Sequence, residues 1–149
     1  REGLKWSDGE PLTADDVVFS YNDVYLNEKI PTDIRDILRI GKDGKFPTVK
    51  KLDDRRVEFS IPEPFAPFLR VTGLGLLPKH ILKEAIDTKG PDGNPKFLST
   101  WTTATDPKNV VVNGPYTLES YTPSQRYIFR RNPYYWKKDQ QGNSQPYIE

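Results

Sequence analysis

The residue types that most often do chemistry are scarce in this chain. His80 is the only histidine, and there is no cysteine and no methionine. An activated nucleophile needs a base beside it and a third group to orient that base. No serine or cysteine nucleophile motif lies near His80, which stands where a short helix would open, so it reads as a surface or capping residue. Asp15-Asp16 and Asp53-Asp54 are adjacent carboxylates that a helix start and a turn explain. They are not a pair facing across a cleft, although separated carboxylates can converge in a fold. The lack of cysteine excludes disulfides, zinc-thiolate sites, iron–sulfur clusters and thiol catalysis. The stretch from Asp87 to Asp92 lacks the spacing of a calcium loop. Gly73-Leu74-Gly75 is a fragment of a glycine-rich loop without the third glycine, the preceding buried strand or the lysine of a nucleotide site. No catalytic residue, no metal and no cofactor is therefore expected.

The residue types do suit binding in two segments, Thr72 to Leu77 and Val112 to Tyr116. Both are apolar and carry glycines, which is unusual for loops that only face water. Glycine permits close backbone approach, and an asparagine amide offers donors and an acceptor to a peptide unit or a sugar hydroxyl. Thr72, Gly73, Leu74, Gly75, Asn113 and Gly114 are thus the candidate ligand-binding residues. The alternative is that both segments pack against other parts of the protein. A third cluster mixes basic and aromatic residues from Arg126 to Lys138, the flavour of an RNA-binding sheet. Against that, Lys+Arg total 22 and Asp+Glu total 21, a formal net charge of +1. Such a balance gives no electrostatic reason to expect nucleic acid or an anionic membrane as partner.

These residues must be positioned by short elements. Thr13 reads as an N-cap, with Asp15 and Asp16 in a first turn where the helix dipole favours negative charge. Leu12 and Val17 can staple that start, and Ala14, Val17, Val18, Tyr21, Val24 and Tyr25 recur at helical spacing, so a helix is predicted over about 14–26. Residues 32–47 fit a short helix or a strand followed by a turn at Gly41 to Gly44. Val57, Phe59 and Ile61 alternate with polar residues, predicting a hairpin with residues 48–52. Short helices are predicted at Phe65 to Val71 and Pro78 to Ile86, the second with Pro78 near N1. A loop follows over 87–96, then a helical turn near Phe97. A second hairpin joins 116–121 to 126–130, followed by a ring-packed turn at Pro133 to Trp136. The class is α+β, a mostly antiparallel sheet of two hairpins with several short helices. At 149 residues the chain is one ordinary domain, with Val18, Tyr21, Phe59, Phe68, Tyr116, Leu118, Phe129 and Trp136 expected in one shared core.

Several phrases then carry a resemblance. The run from Arg1 to Ser20, with Lys5-Trp6-Ser7-Asp8-Gly9-Glu10-Pro11-Leu12-Thr13-Ala14-Asp15-Asp16-Val17 at its centre, closely resembles a signature of the extracellular solute-binding proteins of family 5. Val57 to Ile61 followed by Pro64 to Leu69, then Leu76 to Ile81, then Asn113 to Leu118, then Arg131 to Trp136, resemble further phrases of that family in the same order. The resemblance covers the whole chain. One departure is that Val112 and Asn113 stand where the family usually has glycine and threonine. Family members are peptide, dipeptide and nickel-chelate receptors of ABC importers, and they are bilobal and several times longer. The resemblance therefore implies that residues 1–149 are a single subdomain of lobe one, excised from a longer protein, as a start at Arg1 and the lack of a signal peptide also suggest. It implies a receptor outside the cytoplasmic membrane, free or lipid-anchored. That receptor would be a monomer capturing oligopeptides for the transmembrane subunits of an ABC permease, with an oligosaccharide or metal chelate as the alternative ligand. The readings that compete from other classes are a stand-alone enzyme and an RNA-binding module.

Overall fold

The computed structural model describes residues 1–149. The chain divides into two compact units, Thr13–Lys96 and the pair of stretches Arg1–Leu12 and Phe97–Glu149. The two predicted hairpins are both present, one in each unit, and form separate two-stranded sheets. The sequence pattern predicts one core for both hairpins, whereas each hairpin lies in its own unit. The α+β class stands: short helices and antiparallel strand pairs make up the regular structure.

In the Thr13–Lys96 unit, α1 (Ala14–Val18) starts as predicted. The Thr13 side chain accepts from the Asp15 N–H, and the Asp16 carboxylate accepts from the Thr13 N–H at 2.9 Å, a reciprocal capping box. The helix then widens into a π-helical stretch, Phe19–Tyr25, where the apolar period had predicted a continuous α-helix. At the junction the Ser20 hydroxyl donates to the Asp16 carbonyl at 2.6 Å. Such a side-chain bond competes for an acceptor of the helical ladder. Phe19, Tyr21, Val24 and Tyr25 are buried there, and with Ile30, Leu38, Ile40, Val49, Leu82 and Ala85 they make the core of this unit. The segment that fitted helix or strand equally holds one helical turn, α2 (Ile34–Ile37). Its Arg35 donates to the carbonyls of Tyr25, Asn27 and Ile30, supplying donors to unpaired acceptors at and beyond the end of the preceding helix.

Strands β1 (Thr48–Asp53) and β2 (Arg56–Ser60) pair antiparallel with Val49 opposite Phe59. Phe59 is half-buried and stands edge-on to Tyr21 at 4.9 Å and to Phe68 at 6.0 Å between ring centroids. Helix α3 (Phe68–Val71) is one turn, and α4 (Lys79–Asp87) follows with Pro78 at the N-cap rather than N1.

The other unit holds α5 (Phe97–Thr100), a 3₁₀ turn at Pro107–Asn109, and strands β3 (Tyr116–Thr122) and β4 (Arg126–Arg131). Trp6 is fully buried and Asn132 nearly so. Two residues assigned to the core from their sequence pattern are exposed instead: Phe129 by 54% and Trp136 by 44%. Alternation shows which residues share a face. It cannot show whether a second layer covers that face, and a lone hairpin brings no such layer. The Trp136 ring lies instead under the Arg1 guanidinium, 4.2 Å from its centroid, a cation–π contact open to water.

Candidate functional site

The Thr72–Leu77 segment is strapped down by hydroxyls. The Tyr21 hydroxyl donates to the Thr72 carbonyl and the Tyr25 hydroxyl to the Gly75 carbonyl, each at 2.5 Å. The Leu77 N–H donates to the Ser20 hydroxyl oxygen at 2.8 Å. All three side chains come from the widened helix, so its buried face is a row of hydrogen-bonding groups as well as an apolar stripe. Burial pushes both phenols upward from their ordinary pKa, with the Leu74 backbone pulling Tyr21 the other way. They therefore remain protonated donors. The Thr72 hydroxyl donates to the Phe68 carbonyl at 2.9 Å. Gly73 and Gly75 are exposed and Leu74 is half-buried. A Cβ on Gly73 would meet the Arg70 carbonyl oxygen at 3.4 Å, ordinary contact. The strap thus keeps the Thr72 and Gly75 carbonyls for internal bonds and turns the two glycines outward.

The Val112–Tyr116 segment is pinned on both sides. The Val112 N–H donates to the Ser7 hydroxyl at 3.0 Å, and the Ser7 N–H to the Val112 carbonyl at 2.8 Å. Asn132 donates through its amide to the Gly114 carbonyl and through its backbone to the Pro115 carbonyl, both at 2.9 Å. Between these anchors Asn113 is half-buried, and its amide hydrogen-bonds to nothing else in the chain. The structure places Thr72, Gly73, Leu74 and Gly75 in one unit and Asn113 and Gly114 in the other. A polar cleft of about 590 Å³ in the Thr13–Lys96 unit, lined by Asp23, Asn27, Lys29, Asp87, Lys89 and Asn94 among others, includes none of the six.

The positioning residues Ser20, Tyr21, Tyr25, Ser7 and Asn132 went unnoticed in the sequence as hydrogen-bonding groups. The available signal was three hydroxyl side chains on an otherwise apolar helical stripe. Asp16 also does more than cap: its second carboxylate oxygen accepts from the Lys79 N–H at 3.0 Å, so one buried side chain serves the starts of α1 and α4. Beside it, Asp15 takes Lys51 at 2.5 Å and Lys79 at 3.2 Å. The Lys51 bond holds the Asp15 carboxyl below its ordinary pKa, against a desolvation penalty and with help from Lys79. His80 is exposed, and no group of three or more His, Asp or Glu side chains is placed to hold a metal ion. No helix is long and apolar enough to cross a membrane.

Comparison with known proteins places the chain among the solute-binding proteins. The model of the bacterial extracellular solute-binding proteins, family 5 middle, matches residues 1–149, and the chain belongs to that family. It is 36% identical over 160 residues to the periplasmic alpha-galactoside-binding protein of Rhizobium meliloti, covering 99% of this chain and 21% of that protein. It is 31% identical over 147 residues to the periplasmic oligopeptide-binding protein OppA of Salmonella typhimurium, covering 91% of this chain and 25% of that protein. Among solved structures, the periplasmic binding protein MelB of Agrobacterium fabrum in complex with stachyose matches with a TM-score of 0.73 and 30% identity, over 94% of this chain and 21% of that one. The chain therefore spans between a fifth and a quarter of the length of these relatives. All three are solute-binding proteins.

Proposed function

We propose that this chain is one wall-forming part of the substrate-binding component of an ABC importer, a monomeric receptor that captures an oligomeric solute outside the cytoplasmic membrane and delivers it to the permease. The match to the family along all 149 residues carries this reading. The architecture supports it: capture by closure around a solute needs stiff walls, and both candidate segments are pinned to their own units by several hydrogen bonds each. In this reading Gly73, Gly75 and Gly114 bring backbone close to the solute and Asn113 offers its amide. An oligopeptide is the first ligand, supported by the Salmonella relative. An α-galactoside oligosaccharide is the second reading, favoured by the Rhizobium relative and by the stachyose complex. Native mass spectrometry of the full-length protein, freshly purified, separates the two. Retained peptides support the first, retained hexose oligomers the second, and turnover of either to smaller products would contradict the receptor role altogether.

A further inference from the structure

The chain contains seven asparagines, and one of them, Asn113, is followed by glycine. An asparagine loses its amide when the backbone nitrogen of the next residue attacks Cγ. Ammonia leaves, a succinimide ring forms, and water opens the ring to aspartate or isoaspartate. The net exchange is amide plus water for carboxylic acid plus ammonia, with no change of oxidation state. Glycine in the following position favours the attack, since it has no side chain to shield its nitrogen and its backbone turns freely.

Asn113 meets the local requirements and the other six do not. Its amide is unpaired within the chain, and the Gly114 N–H makes no backbone hydrogen bond. Space at Gly114 is open, with nothing within 4 Å of where a Cβ would sit. Asn132, by contrast, uses its side chain on the Gly114 carbonyl and the Tyr134 N–H, and Pro133 after it has no N–H to attack with. Asn94 is also followed by proline and donates to Asp92. The amides of Asn22, Asn27 and Asn143 donate to Val49, Asp23 and Asp139. Asn109 precedes Val110, whose branched side chain shields the attacking nitrogen.

We propose that Asn113-Gly114 is a site of spontaneous deamidation, with water as co-reactant, so that the protein exchanges this amide for a carboxylate as it ages. The side chain then accepts hydrogen bonds but no longer donates them. The effect on solute capture rests on the reading of Asn113 as a ligand-facing residue; the chemistry itself does not.

The test is peptide mapping by mass spectrometry of the full-length protein, held at mildly alkaline pH for weeks. The amide-to-acid mass change is expected first in the peptide containing Asn113, as a mixture of aspartyl and isoaspartyl forms. The Gly114→Ala variant keeps its fold, because the new methyl enters open space and no left-handed φ is required there. Its rate is expected to fall about tenfold. Three results would each overturn the proposal: Asn113 stays intact while an unstructured peptide of the same local sequence deamidates; another asparagine reacts first; or Gly114→Ala reacts at the parent rate. None of these readouts involves solute binding, so a failure here is distinct from a failure of the receptor reading.

Discussion

Asp16 shows how much one side chain can do in this chain. Its two oxygens accept from the Thr13 and Lys79 backbone N–H groups, which would otherwise be unpaired helix-start donors. Asp16→Ala is expected to destabilise by about 1–3 kcal/mol, because both donors lose their acceptor in a buried place. Urea denaturation measures this, and Asp16→Asn, which keeps one acceptor oxygen, should lose less. Thr13 as N-cap and Asp16 in the first turn were legible because both signals are local; the reciprocal bond from the Thr13 N–H to Asp16 is what the structure adds. The bond to Lys79 was not legible, because its partner lies 63 residues away. Among the candidate binding residues, Asn113 is the sharpest case. In the full-length protein, Asn113→Ala should weaken solute binding by about 1–3 kcal/mol if the amide is desolvated against the ligand. Unchanged affinity with a lowered melting temperature would make the segment structural and remove it from the site.

Strand faces and helix turns give a second set of expectations. Phe59 contacts two rings edge-on but is only half-buried. Phe59→Ala should therefore cost about 2–3 kcal/mol, below the value for a fully buried phenylalanine. Phe129, 54% exposed on β4, should tolerate alanine within about 0.5 kcal/mol in the chain of 149 residues. Thermal melts of the two variants decide whether the exposure pattern holds in solution. Both hairpins were readable from period-two patterning and turn residues, as both are local signals. Burial of their faces was not, because it depends on what packs on them from elsewhere. The π-helical widening was hidden for a different reason: over seven residues the apolar positions suit either period. The link between α1 and β1 through Asp15 and Lys51 adds a pH dependence. A carboxylate whose pKa is lowered by folding stabilises the fold above its ordinary value, near 3.8. That contribution disappears as pH falls through the lowered folded value. The melting temperature should thus drop on acidification below that range, and less so in Asp15→Asn than in the parent.

Taken whole, the chain is of balanced charge and α+β class, carries two anchored segments, and belongs to a family of extracellular solute-binding proteins. The family was legible because five phrases occur in order. The ligand class was not, because relatives of similar identity bind an oligopeptide in one case and an alpha-galactoside in another. A solute is normally covered over most of its surface, and the chain spans a quarter or less of its relatives. Residues 1–149 by themselves should accordingly show no binding at micromolar concentration. The decisive experiment is isothermal titration calorimetry of the full-length protein with mixed tri- to pentapeptides in one series and with stachyose in another. One series should give a saturable one-to-one complex with no product formed. Saturable binding in neither series, or release of hydrolysed peptide or sugar, would contradict the receptor role.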